Sequence, residues 1–152
     1  MSYTILPVSK LKEAIGDEKK SDWIEISQER INQFADCTDD HQFIHVDPEK
    51  AKTGPFGHTI AHGFLTLSML TRLATENTWI PEGVKAAINY GFDKVRFISP
   101  VFSGSKIQSV MKLTGVEERE GGKVLVTVTH TVSSEGAEKP SLVAEWLTMF
   151  FI

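Results

Sequence analysis

The second half of the chain alternates hydrophobic with polar residues, as β-strands do. Stretches rich in β-branched and aromatic residues begin after Val84 and are separated by turn-forming residues. Gly121-Gly122 and Glu135-Gly136 have the composition of hairpin turns. The pattern predicts a meander of four long antiparallel strands, over residues 85–98, 105–117, 123–133 and 142–151.

The first half of the chain has the spacing of helices instead. Ser27 is placed to cap a helix that ends near Cys37, and Asp47-Pro48 has the composition of another helix start. Residues 61–75 leave almost no polar face, which predicts a helix buried nearly all round. Helices followed by a strand meander predict the α+β class, with the apolar helix packed against an antiparallel sheet.

The remaining segments have weaker patterns. Residues 1–21 are expected to be a loosely ordered lead-in, with a short helix around Ser9–Ile15. Residues 22–26 alternate polar and apolar positions, which predicts a short strand. Residues 38–45 are polar and dense in ionisable groups, so we expect a loop there.

Composition and charge narrow the class of protein. A chain of 152 residues with 41% hydrophobic content fits a single globular domain over 1–152. The net charge of −4 argues against nucleic-acid binding, and no apolar run approaches the roughly 20 residues that span a bilayer. The N-terminus lacks the features of a signal peptide, and the single Cys37 cannot form an intramolecular disulfide. We therefore expect a cytoplasmic protein that binds neither nucleic acid nor membrane.

The predicted loop carries the candidate chemistry. Asp40 and His45 lie five residues apart, and a carboxylate and an imidazole can share a water as an acid–base pair. Apolar Phe43 and Ile44 lie between them and favour partial burial, which tunes such groups. Taken alone, each residue is more often a helix cap or an exposed loop residue.

A glycine at the start of the apolar helix adds a second feature. Gly63 follows His62 at a position where backbone N–H groups have no acceptor within the helix. Such an N–H can stabilise an oxyanion or enolate oxygen. The alternative is that Gly63 only permits close helix packing, and the spacing favours neither.

Other chemistries are disfavoured. The histidines and acids near the loop have neither HExxH nor paired-cysteine spacing, so we expect no metal, and His58 and His62 are expected to bond backbone groups near the site. The sequence has no GxSxG, P-loop or GxGxxG motif, and we expect no cofactor. Cys37 lies on a predicted helix, where a small buried residue is more usual than a nucleophile.

Three blocks in order resemble the MaoC-like family of hydratases and dehydratases, whose prototype is the (R)-specific enoyl-CoA hydratase. They are the acidic–histidine segment 38–48, the Ile-Ala-His-Gly segment 60–63 and the Val-Arg-Phe segment 95–104. The segments DHQFIHVDPEKA and INYGFDKVRF are most similar to the branch that contains nodulation protein N. The resemblance covers about residues 22 to 151.

This resemblance implies a hot-dog fold, in which a central helix over about 61–76 is wrapped by a bent antiparallel sheet, and a homodimer. It implies that Asp40 and His45 are the catalytic dyad and that Gly63 donates its N–H to the thioester carbonyl. The reaction would be hydration of a trans-2-enoyl thioester to an (R)-3-hydroxyacyl thioester, or the reverse dehydration. The thioester would be carried by coenzyme A or an acyl carrier.

Three residues near the dyad depart from the family pattern. Asp39 stands where the family usually has Gly and places a second carboxylate beside Asp40. Gln42 stands where the family has Asn and is expected to orient the water or the dyad, and Phe43 replaces the usual Pro and is expected to narrow the acyl tunnel. Ser68 and Asn89 are further candidates for substrate contact, although the Ser68 hydroxyl can equally bond its own helix. Acyl chain length stays open.

Two other functions stay open from the sequence. A hot-dog thioesterase would hydrolyse the thioester instead of hydrating its alkene. A non-catalytic subunit would bind an acyl thioester without acting on it, but such a subunit has no need of an acid–base pair.

Overall fold

A computed structural model describes residues 3–75 and 77–152. In chain order the elements are β1 (Thr4–Leu6), α1 (Val8–Glu13), β2 (Glu18–Lys20), β3 (Ile24–Glu25), α2 (Gln28–Thr38), α3 (Phe43–Val46), α4 (Pro48–Ala51), α5 (Gly63–Ser68), α6 (Leu70–Ala74), β4 (Trp79–Pro81), β5 (Ala86–Phe97), β6 (Lys106–Arg119), β7 (Lys123–Ser134) and β8 (Leu142–Phe151). The four long predicted strands are confirmed as β5 to β8, and the α+β class is confirmed with them.

One antiparallel sheet dominates the structure. Its strand order is β2-β6-β7-β8-β5, and β3 also pairs with β6. Gly121 and Gly122 join β6 to β7 with φ angles of 75° and 66°, a conformation that favours glycine in a hairpin turn. Register shifts interrupt β5 twice and β6 once, and such bulges bend a strand. The sheet therefore curves around the helices, and β5 forms one of its edges.

The N-terminal residues are more ordered than the sequence predicts. β1 pairs in parallel with β4, and the Thr4 N–H donates to the Thr78 carbonyl at 3.0 Å. β2 adds to β6, and Leu11 of α1 is fully buried. The prediction of a loose lead-in was wrong because these three-residue strands depend on partners far along the chain, which a local pattern does not reveal.

The central helix is interrupted. It consists of α5 and α6, separated at Met69, and residue 76, its expected end, lies outside the described residues. The Ser68 hydroxyl donates to the Phe64 carbonyl at 2.7 Å, and the Thr71 hydroxyl donates to the Ser68 carbonyl at 2.8 Å. Hydroxyl groups that bond the preceding turn in this way bend helices.

One face of this helix is exposed, so the prediction of burial nearly all round was wrong. Leu65, Leu70 and Leu73 pack into the core against the sheet, whereas Phe64 is 67% exposed. The exposed face also carries Gly63, Ser68 and Thr71, and it forms the wall of the cleft described below.

Candidate active site

The end of α2 positions Asp40. Ser27 caps the start of α2 by accepting from the Arg30 N–H at 3.2 Å, as predicted. At the other end Asp39 adopts φ 59° and ψ 20°, and it is the one non-glycine residue with positive φ in the described part of the chain. This left-handed conformation explains why the family pattern has glycine here. It ends the helix and directs the chain into Asp40, whose side chain is 54% exposed.

His45 lies on α3, a single helical turn, and not on the predicted loop. Its ring is buried, and Nδ1 lies 2.8 Å from the Ile60 carbonyl oxygen. A carbonyl oxygen can only accept, so Nδ1 carries the proton and Nε2 of the neutral ring is unprotonated. Burial lowers the pKa of His45, as does neighbouring His62, against the opposing effects of the Ile60 hydrogen bond and Asp40. The neutral ring is therefore favoured.

The backbone of Ile60 makes hydrogen bonds that connect α3 to the segment before α5. Its N–H donates to the Ile44 carbonyl at 3.0 Å, while its own carbonyl accepts from the His45 ring. These two bonds hold α3 against the segment that leads into α5. The relative position of His45 and Gly63 is thus set by backbone contacts.

His62 contacts both Asp40 and His45, the two members of the candidate dyad. Its ring stacks on the His45 ring with a centroid separation of 3.8 Å and an interplanar angle of 25°. Nε2 donates to the backbone carbonyl of Asp40 at 2.9 Å, and His58 likewise bonds a backbone carbonyl, that of Thr59, as the sequence predicts. His62 is 3% exposed, and its Nδ1 has no hydrogen-bond partner among the described residues.

One carboxylate and two imidazoles converge here. A ligating atom from each of Asp40, His45 and His62 lies within 4.8 Å of the other two. Two hydrogen bonds of about 2.8 Å to one water span roughly 4.5 Å, which is within this 4.8 Å limit, so the arrangement is compatible with a water shared by Asp40 and His45. The same donor types suit a divalent metal, but nearly parallel stacked rings direct their lone pairs along parallel planes instead of toward one point. The arrangement favours an activated water over chelation.

Gly63 is the first residue of α5 and lines the same cleft. Its N–H is at a position without an acceptor inside the helix. A Cβ at Gly63 would lie 3.2 Å from two atoms of the Phe97 ring, closer than ordinary van der Waals contact. Close packing therefore accounts for the glycine on its own, and a donor role is compatible with it.

Three adjoining clefts extend from the dyad along the exposed face of α5 and α6. The proximal cleft, of about 520 Å³, is lined by Phe34, Thr38, Asp40, His45, His62, Gly63, Phe64, Leu67 and Ser68. The middle cleft, of about 160 Å³, shares Leu67 and Ser68 with it. The distal cleft, of about 260 Å³, shares Thr71, Asn89 and Trp146 with the middle one. Because neighbouring clefts share lining residues, we refer to the three together as the groove.

The four candidate substrate-binding residues separate into two pairs. Ser68 and Asn89 line the groove, although the Ser68 hydroxyl bonds its own helix. Gln42 and Phe43 are absent from the residues that line the proximal cleft. Phe43 packs against Gly54 and beneath the Lys50 ammonium group, 4.6 Å from its ring centroid. The structure therefore does not bring Phe43 to the place where it was expected to narrow a tunnel.

Sequence reasoning did not find several residues of this site. It did not anticipate the stacking of His62 on His45, the role of the Ile60 carbonyl or the position of Trp146. The Ile-Ala-His-Gly segment contains the first two, so a signal was present for them. Trp146 lies on β8, and nothing in its local pattern points to the groove.

Comparisons with known proteins identify the family of this chain. The model of the MaoC like domain matches residues 10–135. The chain is 50% identical over 148 residues to 3-hydroxyacyl-thioester dehydratase Z of Mycobacterium tuberculosis, covering 97% of each protein. It is 42% identical to nodulation protein N of Rhizobium leguminosarum bv. viciae, covering 95% of this chain and 91% of that protein.

A solved structure shows the same fold. The (R)-hydratase from A. caviae involved in PHA biosynthesis superposes with a TM-score of 0.71 at 22% identity, over 88% of this chain and 94% of that one. The fold is the hot-dog fold, as expected.

These findings define a hot-dog enzyme of the hydro-lyase class. The chain belongs to the MaoC-like family, and its similarity to nodulation protein N confirms the expected branch. Among the described residues, no helix has the length and apolar character that crossing a bilayer requires.

Proposed function

We propose that the protein adds water reversibly to trans-2-enoyl thioesters, giving 3-hydroxyacyl thioesters, with Asp40 and His45 as the catalytic dyad. One observation carries the proposal: Asp40, His45 and Gly63 line a single cleft. The name of the mycobacterial relative, a 3-hydroxyacyl-thioester dehydratase, supports the substrate class.

The reaction needs one proton to be removed and one to be delivered. Asp40 and neutral His45 hold a water, whose oxygen attacks the β-carbon as an O–H bond breaks and the dyad takes up the proton. The π electrons of the C=C bond pass toward the thioester oxygen. The enolate so formed then takes the proton from the dyad at its α-carbon and the thioester C=O is restored, so that water is added with no net proton change. Dehydration follows the same path in reverse.

We assign the Gly63 N–H the role of stabilising the negative charge that develops on the thioester oxygen. The thioester carbonyl lies against its N–H, and a donor of this kind is worth roughly 3–4 kcal/mol in a transition state. The acyl chain follows the groove past Ser68 and Asn89. The coenzyme A or acyl carrier that is joined to it through the thioester lies outside the groove. By resemblance to the family we assign the (R) configuration to the product.

The same proposal includes a homodimer. β5 is an edge strand of the sheet, and it exposes large apolar side chains: Ile88, Tyr90, Phe92 and Phe97. An unpaired edge with apolar residues is usually covered by another chain. Sedimentation equilibrium at micromolar concentration tests this, with a mass of twice 16.9 kDa expected and a monomer contradicting it.

Crotonyl-CoA hydration tests the reaction. Asp40→Asn and His45→Gln are each expected to lower kcat by about 10²–10⁴-fold, because each removes a proton-transfer group. Asp36→Asn is the matched control, since Asp36 is an exposed carboxylate that pairs with His41 outside the cleft. Near-wild-type activity of both dyad variants would contradict the assignment.

The same assay separates the alternatives. A thioesterase would release free thiol from crotonyl-CoA and from saturated acyl-CoA, whereas a hydratase removes only the enoyl absorbance. A binding subunit would bind acyl-CoA with neither change.

A further inference from the structure

The side chain of Gln28 connects three segments around His45. Its Nε2 donates to the His45 backbone carbonyl at 2.7 Å, and its Oε1 accepts from the Thr59 hydroxyl at 2.6 Å. The His45 carbonyl oxygen can only accept, so the amide presents its nitrogen there and its oxygen to Thr59. Gln28 thus links the start of α2 to α3 and to the segment before α5.

The turn that carries His45 depends on such contacts. α3 has 4 residues, Phe43–Val46, and a helix this short is not stable on its own. The carbonyl groups at the end of a helix have no donor within the helix. The Gln28 amide supplies a donor to the carbonyl of His45 itself, and therefore fixes the backbone from which the imidazole extends.

The Gln28 amide is held in a single orientation. Its residue is the first of α2, directly after the Ser27 cap, and its side chain is half-buried. Nε2 also donates to the Asn32 Oδ1 atom at 2.9 Å, one turn further along α2. Both N–H groups and the oxygen of the amide therefore have partners, which leaves it no favourable alternative orientation.

Thr59 provides a rigid point for this contact. The residue is buried, and its carbonyl accepts from the Ser103 N–H and from the His58 ring, both at 3.0 Å. The next residue, Ile60, forms a β-bridge with Phe102. The Thr59 hydroxyl is thus fixed relative to the segment that leads to Gly63.

His45 is restrained at two places as a result. The Ile60 carbonyl accepts from Nδ1 of the ring at 2.8 Å, and Gln28 contacts the backbone carbonyl of the same residue. The first bond fixes one atom of the ring, and the second fixes the main chain that carries it. Together they limit the movement of Nε2 relative to Asp40.

We infer that Gln28 is a positioning residue for the reaction: its amide, oriented by Thr59, keeps His45 where Nε2 shares a water with Asp40. The inference rests on the proposed function, in which His45 is the base. Gln28 is absent from the residues that line the proximal cleft, so it acts through His45. Gln28 and Thr59 both lie outside the three sequence blocks that resemble the family.

Gln28→Met tests the inference, because methionine has nearly the length and volume of glutamine without its amide. In crotonyl-CoA hydration kcat is expected to fall by about 10-fold to 100-fold, the effect of a small misplacement of a reacting group. KM is expected to stay close to the wild-type value, since no substrate contact is lost.

Gln108→Met is the matched control. Gln108 is also half-buried, and its Nε2 donates to the Ser21 carbonyl at 2.8 Å, away from the proximal cleft. The substitution removes the same kind of bond at a comparable depth, so it controls for a general loss of stability. Its kcat is expected to equal that of the wild type.

Thr59→Val tests whether Gln28 and Thr59 act as one unit. Removal of the hydroxyl frees the Gln28 oxygen, and kcat is expected to fall by about threefold to tenfold, the value of one hydrogen bond. In the Gln28→Met background the same substitution is expected to have little further effect, because the contact is already lost. Fully additive effects would overturn the role of Thr59 in orienting the amide.

Hydrogen exchange measures the position of α3 without reference to the reaction. The Ile60 N–H donates to the Ile44 carbonyl at 3.0 Å, so its exchange is slow while α3 stays against this segment. In Gln28→Met the exchange of this N–H, followed by NMR, is expected to be about threefold to tenfold faster. In Gln108→Met it is expected to keep the wild-type rate.

The outcomes separate this inference from the proposed function. Wild-type kcat in Gln28→Met, or an equal loss in Gln28→Met and Gln108→Met, overturns the inference. Failure of the wild-type protein to hydrate crotonyl-CoA overturns the proposed function instead. The exchange of the Ile60 N–H then decides whether Gln28 keeps His45 in place, and an unchanged rate in Gln28→Met shows that it does not.

Discussion

The imidazole rings of His45 and His62 stack face to face, 3.8 Å apart between centroids, beneath the carboxylate of Asp40. His62 thereby restrains both members of the dyad, since it also donates to the Asp40 backbone carbonyl. The family resemblance assigns no catalytic role to His62, yet its contacts restrain Asp40 and His45, to which the resemblance does assign one.

Replacing His62 is expected to impair turnover more than binding. His62→Leu removes the donor to Asp40 and should lower kcat by about 10-fold to 100-fold, because small misplacement of reacting groups has effects of that size. KM for crotonyl-CoA should change little. His62→Gln, whose amide can still donate to the carbonyl, should recover part of kcat. Equal kcat in wild type and His62→Leu would show that His62 has no positioning role.

The pH profile should reflect the burial of His45. Because burial lowers the pKa of His45, the ring stays neutral to a pH below its ordinary value of about 6.5. The acid limb of kcat/KM for hydration should therefore have its midpoint below that value, since protonated His45 cannot act as a base. The His45 resonances in an NMR titration should give the same midpoint. An acid limb at or above 6.5 contradicts this.

Two substitutions at Gly63 can separate its packing role from its donor role. Gly63→Pro removes the N–H at the first helical position, which accepts proline, and His62 already has the φ of −58° and ψ of 138° that proline requires of the preceding residue. Gly63→Ala keeps the N–H and introduces the same Cβ contact with Phe97. We expect kcat of Gly63→Pro to be about 10²–10³-fold below that of Gly63→Ala. Similar kcat in both variants would show that Gly63 has a packing role and that its N–H does not contribute to catalysis.

His130 should make stability depend on pH. Burial lowers its pKa to about 4, whereas in the unfolded chain it returns to about 6.5. Between these values the unfolded state binds the extra proton, so stability is full above pH 6.5 and falls as the pH drops toward 4, by about 3 kcal/mol. Denaturant unfolding at several pH values should show this fall in the wild type. The fall should be smaller by that amount in His130→Gln, and parallel curves for the two proteins would contradict the assignment.

Asp39 carries strain that glycine would relieve. Its left-handed φ of 59° costs about 1 kcal/mol for a residue with a Cβ. Asp39→Gly should raise the free energy of unfolding by roughly 0.5–1 kcal/mol, while Asp39→Ala should lower it, as measured by denaturant titration. A loss of stability in Asp39→Gly would mean that the Asp39 carboxylate makes a compensating contact.

Local determinants explain how much of the fold could be predicted. Ser27, the Gly121-Gly122 turn and the alternation along β5 to β8 act within a few residues, and the structure follows them. The position of the helical turn at His45 and the β1–β4 pair depend on contacts that span much larger separations. A pattern read over a short window does not contain them.

The same distinction applies to the site. The sequence motifs single out Asp40, His45 and Gly63 as candidates, and in the structure all three line one cleft. The hydrogen bond from His45 to Ile60 and the stacking on His62 join segments about 15 residues apart, and they appear only in three dimensions. Phe43 shows the converse, because the family resemblance suggested a tunnel residue, whereas its neighbours in space are Gly54 and Lys50.

The pairing of β1 with β4 has a practical consequence for assays. Thr78, Trp79 and Ile80 form part of the far wall of the distal cleft, and β1 supports that wall from behind through the bond from Thr4 to Thr78. Under the proposed function, β1 therefore supports the part of the groove that would hold the tail of an acyl group. Removal of β1 would be expected to change the depth of the groove without touching Asp40 or His45, so substrate length should be profiled on protein that retains β1.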